Sequence, residues 1–289
     1  MRRVAEMTHA DLPKPHLDLT EIVNKNGIVI LRGRPDPATV MPVAGPLVVV
    51  FCSSDSSLEF AGHVARSGRN ALFVRDNKRT WFALPADVKT IVSAVQKELK
   101  SLGSKRVDTI GFSMGAYAAL AYGKVIPIRN ALALAPRFSP DQDIVPDRRA
   151  RRNLDRCSDR LALRSVAPGL NGIGWATVVH GSLGPDRAHL PHFPRRKNVD
   201  HHIIPGCYHL VLQWLSDRSL LDGLAGDVLT DDRRAAQRHM RAAGTVPRRL
   251  MNNRMARAEA RLRRALGAIR RRFRAVSTSF LSPITGPTS

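Results

Sequence analysis

One stretch limits the folds open to this chain more than any other: VDTIGFSMGAYAALAYG, residues 107 to 123. It runs from an apolar, β-branched segment through Gly111-Phe112-Ser113-Met114-Gly115 into an alanine-rich segment of helical character. A Gly-x-Ser-x-Gly string at such a junction describes a sharp strand-to-helix turn. Its backbone crowds the positions two residues to either side of the serine, so only glycine or another small residue fits there. The turn lifts the Ser113 hydroxyl off the sheet and aims the first N–H groups of the next helix, with the positive end of its dipole, at any oxyanion formed beside it. The Met114 N–H is one expected oxyanion donor. A second is expected from the loop FCSSDSS (51–57), through Ser53 or Ser54.

The surroundings agree with such a turn. Short apolar runs recur at 27–33, 47–52, 71–76, 106–112, 130–136, 175–181 and 199–206, and most are separated by segments of helical periodicity at 57–68, 86–103, 114–125 and 209–224. That alternation predicts an α/β fold: a mostly parallel central sheet flanked by helices. In 86–103, Val88, Ile91, Val95, Leu99 and Leu102 fall on one helical face, and Gly103 supplies the C-cap. The expected organisation is an N-terminal segment 1–26, an α/β domain 27–230 with a lid-like polar insertion at 137–172, and an Arg-rich amphipathic tail 231–289.

A serine hydroxyl is a weak nucleophile until a base takes its proton, so the turn has chemical meaning only with a histidine and an orienting acid further along the chain. Asp186 follows the strand WATVVHG, and His209 follows the strand VDHHIIPG. An ordinary turn aspartate is the rival reading of Asp186, with Asp141 or Asp143 as fallback acid. At the same sheet edge, Arg75, Asp76, Arg79 and Trp81 in RDNKRTWF are candidates for contact with a polar or anionic substrate, against the plainer reading of a solvated loop. His189 and His192, with the pair His201 and His202, raise a metal site. Adjacent strand residues point to opposite faces, however, so no metal and no cofactor is expected.

Composition bears mainly on partners. The net charge is +22 over 289 residues, yet 233–274 alone holds fifteen arginines and one glutamate. Within it Met251, Met255, Ala258, Leu262, Ala265, Ile269 and Phe273 recur at steps of three and four. That stripe makes one basic amphipathic helix, suited at 250–274 to an anionic membrane surface. The body has no nucleic-acid motif and the tail no stacking aromatics, which argues against nucleic acid. A partly disordered basic tail is the plain alternative. Three cysteines at unhelpful spacings, and no apolar leader or membrane-spanning run, lead to the expectation of a cytoplasmic protein, peripheral at most to the inner membrane face.

The segments VVVFCSSDSSLEFAGHVA, ALFVRDNKRTWF, IGFSMGAYAALAYG, ALAPRFSPD and HGSLGPDRAHL together resemble the α/β-hydrolase superfamily over about 27–224. Within it they are similar to a bacterial group associated with surface-polysaccharide or glycosyltransferase systems. The resemblance implies Ser113, Asp186 and His209 as triad positions and an esterase-like serine hydrolase, with an acylated saccharide among its possible substrates. It leaves open a non-catalytic partner of a membrane-associated polysaccharide or glycosyltransferase system. Two departures stand out: FCSSDSS lacks the His-Gly pair of many esterases, and Ala116 replaces a common glycine.

Overall fold

The computed structural model describes residues 16–53, 58–147 and 161–248. The chain divides into two compact units, 1–246 and 247–289, and of the second only residues 247 and 248 are described.

In the first unit eight strands of five residues or more form one sheet: β1 (Leu17–Lys25), β2 (Ile28–Pro35), β3 (Leu47–Phe51), β4 (Ala71–Asp76), β5 (Val107–Phe112), β6 (Ile128–Leu134), β7 (Ile173–Gly181) and β8 (Val199–Ile204). They lie in the order β1-β2-β4-β3-β5-β6-β7-β8. The β1–β2 and β2–β4 pairs are antiparallel, and every later pair is parallel. After β3 the chain moves outward to β4; after β5 it moves the other way to β6. The connections therefore diverge between β3 and β5, which opens a crevice at the carboxyl ends of those strands.

Both faces of the sheet are covered, which is why its central strands read as continuous apolar runs. Side chains alternate along β3: Leu47, Val49 and Phe51 enter one core, Val48 and Val50 the other. The first core takes α2 (Pro85–Leu102) through Ile91, Ala94, Val95 and Leu99, and all of α3 (Met114–Ala121). On the opposite face lie α1 (Ala61–Arg66), α4 (Val211–Ser216), α5 (Leu221–Thr230) and α6 (Arg233–Ala242), contributing among others Val64, Leu215, Val228 and Met240.

Three boundaries differ from the sequence expectation. The sheet begins at Leu17, because 17–25 is an edge strand whose exposed polar face hides its periodicity. The expected helix 209–224 is two, α4 and α5, separated by a turn with Ser219 at φ 55°. The expected tail from 231 begins inside the fold. Asp232 caps α6 by accepting the Ala235 N–H at 2.8 Å, Ala236 and Met240 are buried, and Arg233 grips Asp200 through Nε at 2.7 Å and Nη2 at 2.8 Å.

Within the 137–172 insertion, 148–160 lies outside the described residues, and the lid reading with it. The flanks are packed. The Val166 N–H donates to Phe138 O at 2.9 Å, the Ala162 N–H to Ala83 O at 2.8 Å, and the Tyr117 hydroxyl to Leu163 O. The amphipathic segment 250–274 also lies outside the described residues.

Candidate active site

The turn after β5 shows why its glycines are there. A β-carbon on Gly115 would stand 1.8 Å from Phe51 O, and one on Gly111 2.3 Å from the Gly115 carbonyl carbon. Neither position tolerates a side chain. Between them Ser113 adopts φ 54°, ψ −115°, a conformation that costs a non-glycine residue roughly 1–3 kcal/mol. The surroundings hold it there: its N–H donates to Leu134 O on β6 at 2.9 Å, and its carbonyl accepts the Tyr117 N–H at 3.2 Å. Met114 is the first residue of α3, so its N–H has no acceptor within the helix.

Asp186 lies in a short 3-10 turn, Pro185–Ala188, in the loop after β7. Gly184 enters that turn at φ 82°, which favours glycine. His209 follows β8 just before α4. The fold brings the three together. His209 Nε2 lies 2.8 Å from Ser113 Oγ, and His209 Nδ1 lies 2.8 Å and 3.0 Å from the two Asp186 oxygens. A carboxylate only accepts, so Nδ1 carries the proton, and Nε2 presents its lone pair to the serine hydroxyl. Burial works to raise the Asp186 carboxyl. The His209 hydrogen bonds and the nearby His209, His180 and Arg137 outweigh it and hold the group below the usual carboxylate range.

The other expected site residues divide. Ser53 does not offer a free N–H: it donates to Glu59 Oε2 at 3.0 Å, and the Ser53 hydroxyl bonds the other Glu59 oxygen. Burial raises the Glu59 carboxyl, with the two Ser53 bonds opposing it. Ser54 lies outside the described residues. Asp76 and Trp81 are corrected from substrate contacts to interior groups. Asp76 Oδ2 accepts the Thr80 hydroxyl and the Phe82 N–H, both at 3.0 Å, and folds the loop inward. Trp81, 4% exposed, packs edge-on against Tyr117 at 5.8 Å. Arg75 is half-buried and Arg79 exposed at that edge. Of the fallback acids, Asp141 is engaged elsewhere, accepting from Arg164 Nε at 2.5 Å and from the Asp143 N–H at 3.0 Å, and the exposed Asp143 carboxylate lies 3.7 Å from Arg164 Nη2. His201 and His202 point apart as expected, His201 toward His180 and His202 toward Thr245.

Sequence reasoning missed a buried group behind the site. His189 Nδ1 accepts the Phe138 N–H at 3.2 Å, so its Nε2–H donates to Asp147 at 3.1 Å, and Asp147 also pairs with Arg137. Arg137 stands 5.4 Å from the Trp81 ring centroid. This cluster fastens the first part of the insertion to the loop that carries Asp186. Only the strand-end position of Arg137, directly after ALALAP, could have drawn attention to it.

An esterase from Pyrococcus furiosus superposes on this chain with a TM-score of 0.51 at 18% identity, covering 80% of this chain and 98% of that one. The chain has the α/β-hydrolase fold. Other similar structures of this hydrolase-fold chain are an esterase from Mycobacterium marinum (TM-score 0.48, 18% identity, 79% of each chain) and a glycosylation-associated protein complex from Streptococcus agalactiae (0.46, 16%, 70% of this chain and 46% of that one). No protein-family model matches the sequence, and no curated protein does. Among the described residues, no helix is long and apolar enough to cross a membrane.

Proposed function

We propose that this protein is a serine hydrolase acting on esters through an acyl-enzyme. One observation carries the reading: the unbroken hydrogen-bonded line Ser113–His209–Asp186 at the crevice between β3 and β5. His209 Nε2 takes the Ser113 proton as Oγ bonds to the ester carbonyl carbon. The carbonyl oxygen becomes an oxyanion, which the Met114 N–H stabilises. As the intermediate collapses, the C–O bond to the alcohol breaks and the Nε2 proton passes to the leaving oxygen. Water then gives its proton to Nε2 as its oxygen bonds to the acyl carbon; the bond from that carbon to Oγ breaks, the Nε2 proton returns to Ser113 Oγ, and the carboxylic acid leaves. Asp186 stays ionised throughout and stabilises the imidazolium. The Ser53 N–H is committed to Glu59 and is not a free second oxyanion donor.

Hydrolysis of p-nitrophenyl acetate tests the reading. Ser113→Ala and His209→Ala should each reduce kcat by about 10^3-fold or more with folding retained. A wild-type rate that both variants share would overturn it.

One observation favours the second reading, a non-catalytic partner of a membrane-associated polysaccharide or glycosyltransferase system: the Ser53 N–H, a natural oxyanion donor, is already spent on Glu59. Under either reading we assign 250–274 to an anionic membrane surface, on its sequence pattern of arginines around an apolar stripe.

A further inference from the structure

The parallel strands β5 to β8 all start at one edge of the sheet, opposite the edge that carries Ser113, and the segments leading into them are 103–106, 122–127, 168–172 and 194–198. These segments hold Lys105, Arg106, Lys124, Arg195, Arg196 and Lys197, all exposed, and no aspartate or glutamate. The printed partners of two of them are neutral: Arg196 bonds the Asn171 side-chain oxygen, and Lys124 Nζ donates to Ala162 O at 3.3 Å. The two carboxylates near the starts of these strands are turned to other cations. Asp108, fully buried, accepts from Arg69 and Arg129, each at 2.6 Å, and Asp200 accepts from Arg233 Nε at 2.7 Å. Neighbouring strands stand about 4.8 Å apart, so four of them spread the six cations over roughly 15 Å. The edge carries a strip of uncompensated positive charge.

Apolar groups stand among these cations. The Val125 and Ile126 N–H groups both donate to Tyr122 O, at 2.8 Å and 2.9 Å, a turn that sends Ile126 into the core and leaves Val125 outside, 37% exposed. Val125 and the exposed Pro127 line, with Arg106, Lys124 and Asn171, a groove of about 460 Å³. Tyr122 is the one aromatic residue of the four segments; it is fully buried and donates to Phe82 O at 2.9 Å, so the strip offers no ring on which a base could stack. We propose that this edge docks on an anionic lipid bilayer, with the cations at the headgroups, Val125 and Pro127 against the interface, and the Ser113 crevice turned toward water. An anionic bilayer complements both features. Its surface potential strengthens binding about fivefold for each basic residue held near it, and its interfacial region takes exposed apolar groups. Stable peripheral attachment takes two signals, and the edge adds one to the basic segment 250–274. The inference shares the bilayer with that assignment and is independent of the hydrolase reading.

The test is the affinity of the full chain for vesicles of phosphatidylglycerol and phosphatidylcholine at low salt. Lys105→Gln/Arg106→Gln/Lys124→Gln should weaken binding by about 100-fold. The control is Lys25→Gln/Lys78→Gln/Lys89→Gln, which takes the same charge from exposed residues by the carboxyl ends of the strands, and it should weaken binding by less than about threefold. Hydrogen exchange of the wild-type chain on the vesicles checks the orientation without any substitution: 122–127 and 194–198 should gain protection, and 182–188 and 205–209 should not. Equal weakening by the two triple variants, or protection at 182–188 in place of 122–127, overturns the proposal. An edge variant that binds like wild type, while charge reversal in 250–274 abolishes binding, overturns the edge and leaves the tail assignment standing. Wild-type protein that binds no vesicle removes both. If the edge variant loses affinity for a single-stranded oligonucleotide but none for vesicles, the strip is a nucleic-acid surface and the bilayer proposal falls.

Discussion

At the end of β7, His180 is sealed from water between two partners that fix its state. Its Nε2–H donates to Pro136 O at 2.6 Å, so Nδ1 accepts from His201 Nε2–H at 2.9 Å. Burial pushes its pKa down to about 4, against the carbonyl bond and the Asp186 charge, which favour the protonated ring. A folded pKa below the unfolded value of about 6.5 means that the unfolded chain binds the proton first as pH falls. The stability held by neutral His180 is therefore complete above about pH 6.5 and is lost progressively between there and about 4, amounting to about 3 kcal/mol. His180→Asn should flatten the pH dependence of the urea unfolding free energy across that window; parallel wild-type and variant curves would contradict it. Legibility also varied at this scale. Ser113, Asp186 and His209 could be found because strand ends and chain order place them. The Ser53–Glu59 bond could not, because six positions of chain separation say nothing about which way a carboxylate turns. Asp76 and Trp81 read as loop residues because the inward fold depends on left-handed backbone at Arg79, Trp81 and Phe82, which composition does not signal.

Among the elements, α6 shows how a basic segment can belong to a fold. Its first turn has a cap and a two-point ion pair, and its buried face is two alanines and a methionine, too small to stand out among arginines. Asp232→Ala removes the acceptor for the Ala235 N–H and should cost about 1 kcal/mol, read as a lowered midpoint in thermal unfolding. An unchanged midpoint would mean that water or a neighbouring group replaces the cap. The parallel strands β3 to β8 were visible as apolar runs because both their faces are buried. The edge strand β1 was not, although the sequence held its signal: Asn26-Gly27, with φ 58° and 88°, forms the tight hairpin turn that joins it to β2.

For the whole molecule, charge and chemistry separate along the chain. With α6 inside the fold, the segment 249–274 still carries ten arginines and one glutamate. Near an anionic bilayer each basic residue contributes about 1 kcal/mol, weakened by salt. The full chain should float with phosphatidylglycerol vesicles at low salt, and a variant with Arg261, Arg263, Arg264, Arg270, Arg271 and Arg272 changed to Glu should not. Equal flotation would remove the membrane assignment. The hydrolase fold and the crevice between β3 and β5 provide one place where Ser113, His209 and Asp186 meet, and activation of that serine is the central claim. Fluorophosphonate labelling read by intact mass, with the adduct mapped by peptide sequencing, tests it most directly. A single adduct on Ser113, lost in Ser113→Ala and His209→Ala, is the predicted result. Folded wild-type protein that takes no label, or a label that persists in Ser113→Ala, would contradict it.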